Sequence, residues 1–179
     1  MFKVKRGKRI ILIYSAIIIF FGMLSVFLFL DINSLNSTYA FQTANINISG
    51  MCTQNKSVMV FYYANDCSSC ATEYQAFQNV TSRFGTGSVE NYTFQSPYFC
   101  AWDLNVSAYN KGQTINAPAA AIEVFSTFSQ SKVPFVLFGG VGVQYYKIGG
   151  FSTESTAVQD LLHYVCLAIN NIAPACTST

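Results

Sequence analysis

The sequence predicts an α/β domain: a mixed four-stranded sheet flanked by helices, in the order β-α-β-α-β-β-α, behind an N-terminal transmembrane helix. Three observations predict it. "SVMVFYYA" at 57–64 is a near-continuous apolar run, as in a central strand covered on both faces. Further apolar runs alternate with stretches of helical spacing, which implies a parallel start to the sheet. A charge-free segment of 21 residues, Ile10–Leu30, follows a strongly basic leader.

The leader, residues 1–9, holds Lys3, Lys5, Arg6, Lys8 and Arg9, five of the ten basic residues. As a helix, Ile10–Leu30 would be roughly 31 Å long, about the thickness of the bilayer hydrocarbon core. Basic residues before it place the N-terminus in the cytoplasm and the rest outside, as a single-pass signal anchor. A cleaved signal peptide is the rival reading. Its apolar region is shorter, roughly 7–15 residues, and "STYAF" at 37–41 is only a weak cleavage site. On either reading the remainder is exported. Beyond the leader, five Lys/Arg against eight Asp/Glu leave a net charge of −3, with no footprint for nucleic acid.

Residues 31–55 are polar and rich in Asn, Ser and Thr, and read as an extracytoplasmic tether with a short strand near its end. The domain then runs over 56–179, a normal size for one core. After the first strand, "CSSCATEYQAFQNVTSRFG" reads as helix: Ala71, Tyr74 and Phe77 recur at a spacing of three, and Gly85 ends it. Tyr98–Leu104 is the second strand and Ala119–Gln130 the second helix. Val133–Gly140 and Val143–Gly150 form a hairpin through Gly139, Gly140 and Gly142. Ser152–Asn170 is the last helix, with Val158, Leu161, Leu162, Val165 and Ile169 as its buried stripe.

All six cysteines lie beyond the apolar segment, and an even number in an exported domain points to disulfide chemistry. Cys67 and Cys70 form a C-x-x-C between the first strand and first helix. Three chemistries compete for it: a redox dithiol, a structural bridge and a zinc half-site. Zinc needs two further ligands. Cys52 and Cys100 are available, but there is no second C-x-x-C, and the single histidine, His163, lies in the last helix. The remaining four cysteines permit three pairings. The most local closes the tail through Cys166–Cys176 and leaves Cys52–Cys100.

Three stretches together carry a family resemblance: "FYYANDCSSC", "KVPFVLF" and "YYKIGGFS". Over roughly residues 56–170 the order of elements, the dithiol and these stretches resemble the thioredoxin fold. The resemblance implies that Pro134 is the family's cis-proline and that Val133, before it, contacts substrate through its backbone. It implies Cys67 as the attacking thiol and Cys70 as the resolving one. The physics agrees: free N–H groups and the dipole at a helix start stabilise a thiolate, which is the nucleophile.

The chain departs from the family at the site. Phe61 stands six positions before Cys67, where thioredoxins commonly have an acid. Asp66 stands where Trp commonly precedes the dithiol, and Ser68-Ser69 fills the pair between the cysteines. Glu73, three residues after Cys70, matches a glutamate often found in membrane-anchored, extracytoplasmic relatives. It is a candidate proton relay or a solvated helix glutamate.

The implied activity is thiol–disulfide exchange on exported proteins, needing no cofactor and no metal. Its partners would be cysteine-containing exported proteins, or apocytochromes in the reducing direction, and a separate membrane or exported redox partner. The alternative is a non-catalytic thioredoxin-like binding module with a static Cys67–Cys70 bridge.

Overall fold

The structure is a computed structural model, and it describes residues 18–23, 40–53, 56–85, 94–140 and 142–177. The chain divides into two compact units, Met1–Thr38 and Tyr39–Thr179. In the first unit residues 18–23 are helical, with exposed side chains. Among the described residues no helix is long and apolar enough to cross a membrane, so the expected N-terminal transmembrane helix is not supported. The rest of the expected anchor lies outside the described residues.

The second unit begins at Tyr39, earlier than the expected boundary at Lys56. Its sheet has six strands rather than four, in the order β1-β6-β5-β2-β4-β3. The strands are β1 (Gln42–Ala44), β2 (Ser57–Tyr63), β3 (Phe94–Gln95), β4 (Phe99–Asn105), β5 (Phe135–Gly139) and β6 (Gln144–Ile148). The helices are α1 (Cys70–Ser82), α2 (Ala119–Phe128) and α3 (Glu154–Ala168). β2 and β4 run parallel; the other pairs are antiparallel.

The two strands beyond the expected four are both at edges; β1 falls within the expected tether, earlier than the short strand expected near its end. β1 covers β6, and Tyr146 donates its hydroxyl to Gln42 at 2.6 Å. The following loop is held as firmly: Gln144 Oε1 accepts from the Ile46 N–H at 3.0 Å, and Trp102 Nε1 donates to the Met51 carbonyl at 2.8 Å. Phe41 stacks on Tyr164 with centroids 3.7 Å apart. These contacts, and burial of Ile46 and Met51, draw residues 41–52 of the expected tether into the domain. β3 is a two-residue return onto β4, closed by Ser96, whose Oγ accepts from the Tyr98 and Phe99 N–H groups.

β2 sits at the centre with both faces buried. Met59 and Phe61 point into a core completed by α1 and α3, including Phe77, Val80, Leu161 and Val165. Val58, Val60 and Tyr62 point into a second core with α2, through Ala121, Val124 and Phe125. The period-2 alternation of a strand produces this division. β5 repeats it, with Val136 and Phe138 on the first side and Phe135 and Leu137 on the second.

All six cysteines are bridged: Cys52–Cys100, Cys67–Cys70 and Cys166–Cys176. The first ties the N-terminal loop to β4 across 48 positions; the last ties the tail to α3 across 10. If loop-closure entropy dominates, losing the first should cost about 4 kcal/mol and losing the last a little under about 3 kcal/mol. Urea unfolding of the paired-serine variants measures both, and the reverse order would show that entropy is not the governing term. Gly140 packs directly on the α3 backbone, where an added Cβ would overlap the Ala168 carbonyl oxygen. Gly140→Ala is expected to lose about 1–3 kcal/mol in the same measurement.

Candidate functional site: a dithiol bridge at the end of the central strand

β2 ends at Tyr63, and its last carbonyl accepts from the Val106 N–H at 2.8 Å. The chain then turns, with the Cys67 N–H bonded to the Ala64 carbonyl at 3.2 Å. Asn65 is fixed in this turn from β4 and beyond: its N–H donates to Ser107 Oγ at 2.8 Å, and its Oδ1 accepts from Asn105 Nδ2 at 2.7 Å. The Cys70 N–H then bonds to the Cys67 carbonyl at 3.3 Å, and α1 begins at Cys70. Cys67 therefore lies in the turn before the helix and Cys70 is its first residue.

The two cysteines differ in exposure. Cys67 is half-buried, while Cys70 is only 3% exposed and belongs to the core under α1. Ser69 Oγ lies 3.6 Å from Cys67 Sγ, and its side chain does not cap the helix. A hydroxyl there has a proton to offer a sulfur anion. Asp66 is exposed, so water and salt weaken its repulsion of such an anion.

The Val133–Pro134 peptide bond is cis. Phe135 pairs with Tyr62, which places Pro134 at the same end of the sheet as the dithiol turn. Val133 is half-buried and packs against both cores. The Pro134 carbonyl accepts from the Gly149 N–H at 2.8 Å, joining it to the turn that follows β6. That turn also meets the dithiol. An added Cβ at Gly150 would stand 3.2 Å from Ser69 Cβ and 3.3 Å from Glu73 Oε1. Glycine at 150 thus allows the backbone to lie against Ser69, one of the two residues between the cysteines.

Glu73 is not a solvated helix residue. It is 2% exposed, one turn along α1 from Cys70, and its Oε1 accepts from the Phe151 N–H at 2.8 Å. Burial pushes its carboxyl up to about 7, although the Lys147 charge and the Phe151 N–H pull the other way. Lys147 on β6 is 3% exposed, and burial lowers its proton affinity against the opposing pull of Glu73 and Asp160. Its ammonium donates to the carbonyls of Gly149 at 2.6 Å and Gly150 at 3.0 Å. It also sits 4.4 Å above the Phe151 ring.

Lys147 was not among the residues read from the sequence. Its signal was there: alternation in β6 puts Lys147 on the same face as Tyr145, toward the α1–α3 core. Phe61, where the resemblance would put an acid, is a core ring, 1% exposed and stacked on Phe77 at 5.7 Å. Here the buried acid comes from the helix instead. Cys52, Cys100, Cys166 and Cys176 stand apart in their own bridges. A groove of about 700 Å³ beside α1 and α3 is lined by Arg83, Leu162, His163 and Cys166, and by none of the dithiol residues.

Glu73 should leave a signature in stability. Its proton is held more tightly in the folded chain than in the unfolded one, so it favours the fold most below about pH 4.5. That contribution is lost as pH rises through about 7. Over this window wild type should lose up to about 3 kcal/mol relative to Glu73→Gln, read from urea midpoints at several pH values. Parallel pH profiles for the two proteins would show that Glu73 titrates normally.

No family model matches this sequence, and neither does any curated protein. A solved chain described as "Structure of a malarial protein" is similar over 64% of this chain and 99% of its own length, with 11% identity and a TM-score of 0.41. A likeness at that level carries no conclusion about what this chain does.

Proposed function

We propose that this chain is a thioredoxin-like thiol–disulfide oxidoreductase whose Cys67–Cys70 couple exchanges with cysteine-containing exported proteins. One observation carries the reading: a bridge between one half-buried and one buried cysteine, at a strand-to-helix turn, on the same sheet end as a cis Val133–Pro134 bond. Exchange needs an attacking sulfur that a large substrate can reach and a second sulfur that only the first can reach. Cys67, the more exposed cysteine, suits the first part and Cys70, in the core, the second. Three disulfides in one small domain suit an oxidising, extracytoplasmic compartment.

The chemistry balances in both directions. In reduction, the Cys67 thiolate attacks a substrate disulfide and one substrate sulfur leaves as thiolate. Cys70 gives up its proton and attacks Cys67 Sγ; the second substrate sulfur leaves, and the bridge reforms. Two electrons pass to the substrate. In oxidation the same steps run backward, from a substrate thiolate attacking Cys67. A separate exported or membrane partner restores the couple. Sulfur alone carries the electrons, so no cofactor enters. Glu73, buried one turn from Cys70, is the group that takes or returns the Cys70 proton. Val133, beside Pro134, presents its backbone to an extended substrate strand.

A static bridge in a binding module makes the opposite prediction. The Cys67–Cys70 couple is expected to equilibrate with a glutathione buffer and to support insulin reduction or thiol oxidation. Cys67→Ser should abolish this activity, and Cys70→Ser should accumulate a mixed disulfide through Cys67. The midpoint of the titration gives the direction of flow, because oxidants have higher potentials than reductants. A couple that stays oxidised across the buffer range, with Cys67→Ser matching wild type, would leave only the binding module.

A further inference from the structure

The groove of about 700 Å³ beside α1 and α3 has a disulfide in its wall, since both Cys166 and Cys176 line it. Its volume lies in the range of small-molecule sites. Cys166, on α3, is 5% exposed, while Cys176, in the tail, is half-buried. Around this bridge the groove presents both signs of charge. Arg83 stands just past α1, and its Nε donates to Asn79 Oδ1 at 3.1 Å, which orients the guanidinium fork. His163 lies on α3 one turn before Cys166, and Glu154 begins α3. All three side chains are exposed. A guanidinium pairs with carboxylates, a carboxylate pairs with an ammonium, and a disulfide is open to attack by a thiolate.

The fold lets this bridge part without losing its helix. The Ser57 hydroxyl donates to the Ala168 carbonyl at 2.8 Å, and Gly140 packs on the same residue. The tail leaves α3 through Asn170 and Asn171, at φ 53° and 55°, a left-handed conformation that Asn tolerates. The Asn171 N–H holds the Cys166 carbonyl at 2.8 Å, and Ala173 is buried. These contacts fix the end of α3 and the start of the tail from outside the bridge, so parting the sulfurs releases Cys176 and leaves α3 wound.

We propose that Cys166–Cys176 is a second exchangeable disulfide and that the groove beside it binds a zwitterionic peptide thiol, a small molecule bearing thiol, ammonium and carboxylate groups. Arg83 and His163 hold the carboxylate, and Glu154 holds the ammonium. The ligand thiolate attacks Cys176 Sγ. The bridge bond breaks, and Cys166 Sγ leaves with its electron pair and takes a proton from water. A second ligand thiol then loses its proton and attacks the bound ligand's sulfur, and Cys176 leaves as thiolate. Two thiols become one disulfide, and two electrons pass to the bridge.

The test uses the full chain carrying both Cys67→Ser and Cys70→Ser, so the inference stands or falls apart from the exchange reading above. Glutathione is the peptide thiol, and 2-mercaptoethanol, which lacks the ammonium and carboxylates, is the comparison. Opening is followed by mass after alkylation, with peptide mapping. With glutathione the rate should saturate and, per thiolate, exceed that with 2-mercaptoethanol, and a trapped glutathione should map to Cys176. Arg83→Gln should slow opening by glutathione about tenfold and leave opening by 2-mercaptoethanol unchanged. Glu154→Gln should act in the same direction. The helical circular dichroism should hold its oxidised level once the bridge is open. A bridge that stays closed to glutathione would overturn the inference, as would a glutathione rate that is linear and no higher per thiolate. So would an equal slowing of both thiols by Arg83→Gln, the mark of a merely structural arginine, or helix loss on opening.

Discussion

Everything in the domain follows from burial of β2 on both faces. A strand that is apolar on one side can lie on a single helix layer. A strand that alternates Val58, Val60 and Tyr62 against Met59 and Phe61 must be enclosed by two. α2 supplies one layer, and α1 with α3 the other. β4 and β5 pair with β2 on either side, so the strand has no free edge. A strand so enclosed ends where its enclosure ends, at Tyr63. The dithiol turn is the first stretch of chain past that limit, and the Phe135–Tyr62 register brings Pro134 to the same place. The site is where it is because the centre of the sheet is full.

The charges tell a complementary story. An aromatic strand leaves no room at Phe61 for an acid. The core under α1 instead stacks Phe61, Tyr63, Tyr74 and Phe77, and the Tyr74 hydroxyl reaches Asp103 at the rim. The buried carboxyl moves to Glu73, and a buried ammonium at Lys147 comes with it. Such a pair is poor evidence for stability, since hydrophobic residues of the same volume often do as well.

Much of the domain was legible in the sequence, for physical reasons that can be stated by residue. Ser57–Tyr63 and Glu154–Ala168 carry their own periodicity, long enough to be read without the rest of the chain. The cysteine pair and the proline were legible as local motifs; of the three pairings open to the other cysteines, the one containing the local Cys166–Cys176 bridge is the one formed. What was missed depends on partners distant in sequence. β1 is three residues, β3 is two, and neither has a pattern until β6 and β4 are placed beside it. The loop after β1 looked like a tether because its Asn and Ser content outweighs the few residues, Ile46 and Met51, that sink into the core. Glu73 is shut from water by Gly150 and Phe151, 77 and 78 positions away, and nothing in "CATEYQAF" announces that. The long apolar segment near the N-terminus had the length of a membrane span, but among the described residues no helix is long and apolar enough to cross a membrane.

The short edge strands have a consequence for how the molecule behaves among other chains. An open sheet offers unpaired N–H and C=O groups along both outer strands, a template on which foreign strands can add. Here the outermost strands are Gln42–Ala44 and Phe94–Gln95, too short to template a register of any length. The long, sticky strands are all interior. A domain that met unfolded, cysteine-bearing chains, as proposed above, would meet many candidates for such addition. Capping the sheet with two stubs confines their access to the end where the sulfurs lie.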